Sequence, residues 1–288
     1  MQPKQLKLVH LVILLCLSIF AFSTYSATQE KDGLLKIYFF DIGQGDAIFI
    51  EGPNGNQVLI DGGPDSKILE ELGQTMPFYD KDIDLVVVSH PHADHLAGLM
   101  NVLDRYEVKN IIEAKEEYRS PEFKLWKDKV QDENANNVEA IRGTLIDLGN
   151  GAYLKILHPF QSLAGTSTTK PHDDVVVMML EYDSMKVLLT GDMEKKVEDK
   201  LILSGADLDA DILKVGHHGS KTSSSDNFIK KVTPQLAVIQ VGAKNKYGLP
   251  SPEVLKRFED SGIKYYRNDL DGAIKLISDG QNYQLIKY

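Results

Sequence analysis

Apolar positions along this chain fall mostly into short runs interrupted by turn residues, a pattern that predicts many strands and fewer helices. Leu35–Phe40, Ala47–Glu51 and Gln57–Asp61 predict strands, separated by turns such as Gly52-Pro53-Asn54-Gly55. Asp65–Gly73 predicts a helix, Leu85–Ser89 a buried strand, and a further helix starts near His95. Val108–Glu113 predicts a strand, Pro121–Val130 a helix with Pro121 suited to its first turn, and the polar stretch Gln131–Asn137 a loop. In the second half, Thr144–Leu148 and Tyr153–Leu157 predict strands and Gln161–Pro171 a Ser/Thr/Gly loop. Val175–Glu181 and Met185–Thr190 predict a hairpin around Tyr182-Asp183-Ser184. Helix Glu194–Leu203 and strand Asp211–Val215 follow, then Ser225–Lys231, Leu236–Val241, Pro252–Ser261 and Lys264–Arg267 alternate helix with strand before a last pair of strands between Gly272 and Tyr288. Helices at these intervals suit the covering of two sheet faces, and no Pro- or Gly-rich linker divides the chain. One domain over residues 27–288 is expected.

The first residues read differently. Lys4 and Lys7 precede an apolar run from Leu8 to Phe22, and Ser23, Thr24, Ser26 and Ala27 follow. That order is expected of a secretory signal peptide over residues 1–26, with cleavage after Ser26 preferred to Ala27. This stretch of 15 residues, apolar apart from His10 and Ser18, is short of the ~20 that span a bilayer. An uncleaved anchor is the alternative, and Cys16 raises a lipoprotein, against which bulky Leu15 argues. The expected product is exported, periplasmic or extracellular, with no stable membrane span once the signal is removed.

Removing the signal also removes the only cysteine, so neither a disulfide framework nor a thiolate ligand is expected. It takes away two lysines and no acid, moving the formal charge from −10 to −12. An acidic chain gains nothing from its overall field on meeting a polyanion, so nucleic-acid binding would need a local basic patch.

Chemistry concentrates in Ser89-His90-Pro91-His92-Ala93-Asp94-His95, directly after the apolar Leu85-Val86-Val87-Val88. Three of the chain's 8 histidines and a carboxylate crowd the end of a buried strand. Burying such groups is costly unless something ties them together, and a divalent metal does so. Imidazole and carboxylate ligands suit Zn, Mn or Fe. Ile60-Asp61-Gly62-Gly63, Thr190-Gly191-Asp192 and Gly216-His217-His218-Gly219-Ser220 likewise follow apolar runs. Alone, Asp192 reads equally well as a helix cap and the His pair as surface loop; with HPHADH they make a joint pattern.

In this order these motifs resemble the metallo-β-lactamase superfamily. FFDIGQGDAIFI, HPHADHLAGL, ILKVGHHGSKTSSS and VGAKNKYG look like one branch of it, the hydrolase-like domain attached to bacterial competence (DNA-uptake) channel proteins and its free-standing relatives. The likeness spans roughly Leu35 to Ile274. It implies an α+β fold, an αββα four-layer sandwich with a one- or two-metal site at one edge of the sheets. Carried over by position, it implies His90 and His92 on a first metal, Asp94, His95 and His217 on a second, and Asp192 bridging. His172, in Pro171-His172-Asp173-Asp174, stands where the wider superfamily has the remaining first-site His, with His158 as its competitor. Asp61 resembles the family's early aspartate, which supports the ligand loop. Two divalent ions, Zn or Mn, are the implied cofactors. Relatives often carry GHPHP where this chain has Gly248-Leu249-Pro250-Ser251-Pro252, so two histidines are missing.

The expected function is a secreted metal-dependent hydrolase, a phosphodiesterase or nuclease using a metal-bound hydroxide, with a phosphodiester such as DNA as substrate. Asp94, Asp192 and His218 are the expected catalytic groups. Lys221, Thr222 and Ser223 are expected to hold a phosphate oxygen; Lys230, Lys231, Lys244 and Lys246 are candidates to extend that patch, each reading more simply as solubility on an exposed helix or turn. No nucleotide cofactor is expected, since Gly43-Gln44-Gly45 lacks a G-x-G-x-x-G pattern and no P-loop occurs. Hydrolysis of an acyl substrate such as a lactone, thioester or β-lactam, and a non-catalytic metal-stabilised binding module, are the alternatives.

Overall fold

A computed structural model describes residues 33–288; the candidate signal peptide lies outside the described residues. Strand β1 (Leu35–Phe39) shows how the layers arise. Ile37 and Phe39 enter the cluster between the sheets, while Tyr38 and Phe40 enter the cluster under the helices. Side chains that alternate along a strand, apolar on both faces, require cover on both faces. The chain supplies two sheets whose inner faces pack on one another and whose outer faces carry helices, an αββα sandwich.

The first sheet has eight strands. Besides β1 it contains β2 (Ile48–Glu51), β3 (Gln57–Ile60), β4 (Leu85–Val87), β5 (Asn110–Glu113), β6 (Asn136–Glu139), β14 (Ile274–Ser278) and β15 (Tyr283–Lys287), in the order β15-β14-β1-β2-β3-β4-β5-β6. The second has seven, in chain order: β7 (Leu145–Gly149), β8 (Ala152–His158), β9 (Val177–Tyr182), β10 (Met185–Leu189), β11 (Ile212–Lys214), β12 (Leu236–Ile239) and β13 (Lys264–Arg267). Pairing is parallel from β3 to β6 and from β10 to β13. The loops that leave the carboxyl ends of β4, β10 and β11 carry HPHADH, TGD and GHHG, and parallel sheets place ligands at such ends.

Helices α1 (Lys67–Thr75), α2 (Ala93–Leu103) and α3 (Pro121–Glu133) cover the first sheet, packing Leu72, Leu96, Leu99 and Trp126 on it. Helices α4 (Lys195–Leu203), α5 (Asp226–Val232) and α6 (Pro252–Asp260) cover the second with Val197, Phe228, Val254 and Phe258. The short α7 (Asn268–Asp271) precedes β14. Ser120 caps α3 by accepting from Phe123 N at 3.0 Å, ahead of Pro121. Ser251 caps α6 in the same way, its Oγ 3.4 Å from Val254 N. Among the described residues no helix is long and apolar enough to cross a membrane.

The helix expected near His95 starts at Ala93, which puts Asp94 in its first turn and His92 at its cap. The loop expected over Gln131–Asn137 does not exist as such: α3 continues to Glu133, Asn134 ends it in the left-handed conformation, and β6 begins at Asn136. Polar Asn136-Asn137-Val138-Glu139 forms a strand because it lies at the sheet's edge, half-exposed, with Asn137 Nδ2 donating to the buried Glu113 at 2.8 Å.

Candidate metal centre

Two glycines let the site close up. A Cβ on Gly98 of α2 would stand 1.8 Å from Gly62 O, so this helix can lie directly on the Asp61-Gly62-Gly63 loop, where Gly62 N donates to His95 O at 2.7 Å. Gly45 (φ +145°) brings the Gly43-Gln44-Gly45-Asp46 turn against Asp94 O, which a Cβ would approach to 2.0 Å. The tandem His217 and His218 both have left-handed backbones (φ 47° and 52°) between Gly216 and Gly219. That conformation costs about 1–2 kcal/mol per residue. It bends the turn so that both imidazoles reach back toward Asp192.

Three imidazoles form one group. His90 Nε2 and His172 Nε2 each lie 3.0 Å from His92 Nδ1. His90 is oriented from behind by Ser89 Oγ at 3.0 Å, and Ser89 is itself held by Asp61, to which it donates from N at 2.7 Å and from Oγ at 2.6 Å. Burial, then the neighbouring imidazoles, hold His90 far below its ordinary range; the same two causes bring His92 down to about 4, and burial lowers His172. All three are therefore neutral at pH 7, the form that binds metals.

A second group joins Asp46, His95, Asp192 and His218, all buried. His95 Nδ1 meets Asp61 Oδ2 at 2.8 Å and His218 Nδ1 meets Gln240 O at 3.0 Å, which leaves the two Nε2 atoms facing inward. His95 Nε2 and Asp192 Oδ1, 3.4 Å apart, are buried without hydrogen-bond partners. Asp94 Oδ2 lies 3.3 Å from His218 Nε2. Burial opposes charge on these imidazoles, but Asp192 leads the acids that outweigh it, raising His95 well above its ordinary range and His218 to about 10. Burial likewise opposes charge on Asp192, yet His218, His95 and His90 hold its carboxyl well below the usual range.

Asp192 connects the groups. Its Oδ2 is 3.5 Å from His218 Nε2, 3.8 Å from His172 Nε2 and His217 Nε2, and 3.9 Å from His90 Nε2. In the first group the neutral His90 Nε2, His172 Nε2 and His92 Nδ1 converge at 3.0 Å, and in the second the protonated His95 and His218 crowd the buried Asp192 carboxylate. A divalent cation satisfies both, replacing the imidazolium protons and giving the facing lone pairs a shared positive charge. The donor set of imidazole and carboxylate can hold a divalent metal.

The expected residues are placed as follows. His90, His92, His95, Asp94, His172, Asp192 and His218 converge, with Asp61 behind His95. His158 stays outside, its Nδ1 2.7 Å from Val175 O. His217, expected beside the second metal, stands with His172 and Asp192 in a third group that could hold a metal ion, its Nδ1 3.1 Å from Glu194 Oε1; the imidazole beside Asp94 is His218. Lys221 is exposed, and Thr222 donates to Glu194 at 2.9 Å. Ser223 departs from its expected substrate role: it is buried, and its hydroxyl lies 2.7 Å from Gly216 O inside the turn. Sequence reasoning missed Asp46, Lys214, Glu194 and Gln240. A lysine ending the otherwise apolar strand β11 is a signal that could have been used, since a buried ammonium demands a partner. That partner is Asp46, in the turn that joins β1 to β2 of the opposite sheet.

A family model described as the metallo-beta-lactamase superfamily matches residues 40–242. ComE operon protein 3 of Bacillus subtilis (strain 168) is 29% identical over 257 residues, covering 83% of this chain and 32% of that protein. Recombination protein 2 of Haemophilus influenzae is 28% identical over 252 residues, covering 85% and 28%. The chain thus spans about a third of the length of these curated relatives. Among solved structures, Igni18, a metallo hydrolase from Ignicoccus hospitalis, aligns with a TM-score of 0.53 at 15% identity over 88% of this chain and 99% of that one. CmlA, a diiron beta-hydroxylase from Streptomyces venezuelae, has the same TM-score at 13% identity, over 88% and 54%. One fold carries both chemistries, so the site itself must decide between them.

Proposed function

The chain belongs to the metallo-beta-lactamase superfamily, and from that premise we propose that it is an exported two-metal hydrolase of phosphodiesters, with DNA in its substrate class. The observation that carries the two-ion reading is the position of Asp192 between two groups of inward nitrogens. His90, His92, His172 and Asp192 would hold one ion, and His95, His218, Asp94 and Asp192 the other, Zn or Mn in either place. When bound, such ions make water nucleophilic at neutral pH and neutralise charge on the attacked group.

The chain's own groups supply the rest. Asp61, Ser89 and the Gln240 carbonyl orient the imidazoles from behind. Asp94 is 34% exposed while Asp192 is 3% exposed, so Asp94 is the carboxylate that meets incoming water and takes its proton. The tandem histidines exchange their expected roles. His218, with both nitrogens committed, is a ligand; His217, backed by Glu194 and 24% exposed, donates a proton to the leaving oxygen. This assignment supplies an acid where Leu249 and Ser251 replace the histidines of relatives.

The loop that follows β12 sits on the Gly43–Asp46 turn and on the tandem-histidine turn: Gly242 N donates to Gln44 Oε1 at 3.3 Å and Ser251 N to Gly219 O at 2.8 Å. It carries exposed Lys244, Lys246 and Tyr247, which with Lys221 give an acidic protein a local cationic and aromatic rim for a nucleotide chain. The recombination name of the Haemophilus influenzae relative supports DNA as the polymer, and the apolar Leu8–Phe22 supports export.

The test uses residues 27–288 loaded with Zn or Mn. Bis(p-nitrophenyl) phosphate and single-stranded and duplex DNA are assayed beside a lactone and a β-lactam, with His92→Ala/Asp94→Ala as control. Phosphodiester turnover lost in the control is the expected result. Acyl turnover alone would refute the substrate class, and silence on every substrate with metal bound would point to a binding module.

A further inference from the structure

Among the described residues Lys214 is the only lysine or arginine that is buried. Ile212, two residues before it, faces the space between the sheets, and Lys214 has the same parity, so its ammonium crosses from the second sheet to Asp46 in the β1–β2 turn of the first. It also donates to Gly191 O at 3.2 Å, beside Asp192. Nothing in the hydrolytic scheme uses this pair.

Asp46 nevertheless stands within ligand range: one of its oxygens, an Asp192 oxygen, and one nitrogen each of His95 and His218 lie within 4.8 Å of one another. Asp94 offers a rival carboxylate, so the second group holds more acid than one ion needs. Orientation separates the rivals. Asp46 approaches the rings from the Nδ1 side, 3.3 Å from His218 and 3.8 Å from His95, whereas Asp94 and Asp192 face Nε2.

We propose that Lys214 holds Asp46 out of the second ion's ligand set, and that this restraint sets the preference of that position for a Zn-type over a Mn-type ion. The inference rests on the two-ion reading above. Without the ammonium, Asp46 becomes a buried carboxylate with no fixed counter-charge, and the nearest remedy is to turn onto the cation itself. One more carboxylate oxygen moves the site toward the harder ion, since oxygen donors suit Mn and imidazoles suit Zn. Lys214 touches neither ion nor substrate and acts as a positioning residue.

Wild type, Lys214→Met and Lys214→Met/Asp46→Asn are titrated with Zn and Mn against a chromophoric chelator, with Mn spin resonance counting the ions. Wild type binds two ions. Lys214→Met keeps both, but its Zn-over-Mn preference at the second position falls about tenfold or more. The double variant restores the wild-type preference. An unchanged preference in Lys214→Met overturns the proposal, as does a double variant that loses the second ion, because Asp46 would then be a native ligand. If Lys214→Met does not fold, the double variant decides alone: a retained preference supports the restraint and a lost second ion overturns it. Wild type that binds fewer than two ions removes the two-ion reading, and the inference with it, a result distinct from an unchanged preference.

Discussion

Replacing Glu116 by glutamine should stabilise the protein, and only at high pH. Glu116 is 3% exposed, its Oε1 has no hydrogen-bond partner, and burial followed by the nearby Asp174 and Glu113 raises its carboxyl to about 7. Between pH 4.5 and about 7 the folded state therefore holds a proton that the unfolded chain, with an ordinary glutamate value of 4.5, has released. Stability falls as pH rises between these values, and the cost is fully present above the folded pKa. A rise of this size corresponds to about 3 kcal/mol. Glutamine has the shape of the protonated acid and cannot ionise. Urea unfolding at pH 5 and pH 8 should find the two proteins close at pH 5, with Glu116→Gln ahead by about 2–3 kcal/mol at pH 8. Both proteins share the same histidines, so pH effects from the metal groups cancel in the difference. A difference that does not change with pH, or a variant less stable at pH 8, would refute a buried, strained carboxylate.

Three further outcomes are expected. His218→Ala should lose one of two ions, whereas His217→Ala should keep both and lose turnover by roughly 10²-fold or more, with the larger loss on esters whose leaving group needs a proton; equal metal loss in both would undo the role exchange. Ion uptake at pH 7 should release about two protons, from His95 and His218, because their raised pKa values keep both protonated without metal, so affinity should climb with pH. Calorimetry in buffers of different ionisation enthalpy counts these protons, and a count near zero would contradict the electrostatics. Gly98→Ala should weaken metal binding as well as stability, because its methyl would collide with Gly62 O beneath His95; chelator competition unchanged from wild type would show that the loop adapts.

The ligands that were readable from sequence are those that follow an apolar run within a few residues, as HPHADH follows Leu85–Val88 and Asp192 follows Val187–Leu189. Local order carried that information; the strand-length runs spaced by helices indicated only that helices could cover two sheet faces, and the four layers were implied by the family resemblance. Asp46 and Lys214 were not readable because their meaning is a contact across two sheets between residues 168 apart in the chain. Taken singly, an aspartate after Gly-Gln-Gly reads as a turn and a lysine as solubility. The choice between His217 and His218 was hidden for another reason: both adopt left-handed backbones, and which ring turns inward depends on the carbonyl of Gln240 in the neighbouring strand. Edge strand β6 escaped because polarity there reflects position in the sheet.

At the metal end the two sheets are pinned by polar groups. Lys214 meets Asp46, and Gln240 Nε2 donates to Phe40 O at 3.2 Å and Ala47 O at 2.9 Å. Apolar faces resist being pulled apart but tolerate sliding, since dispersion has little direction; hydrogen bonds fail within a few tenths of an ångström of lateral shift. One sheet supplies His90, His92, Asp94 and His95, and the other His172, Asp192, His217 and His218. The pins therefore fix the alignment of these two half-sites during folding, before any ion arrives. Capture of an ion should then proceed at a rate governed by how fast it sheds water, with no slow closing of the protein around it.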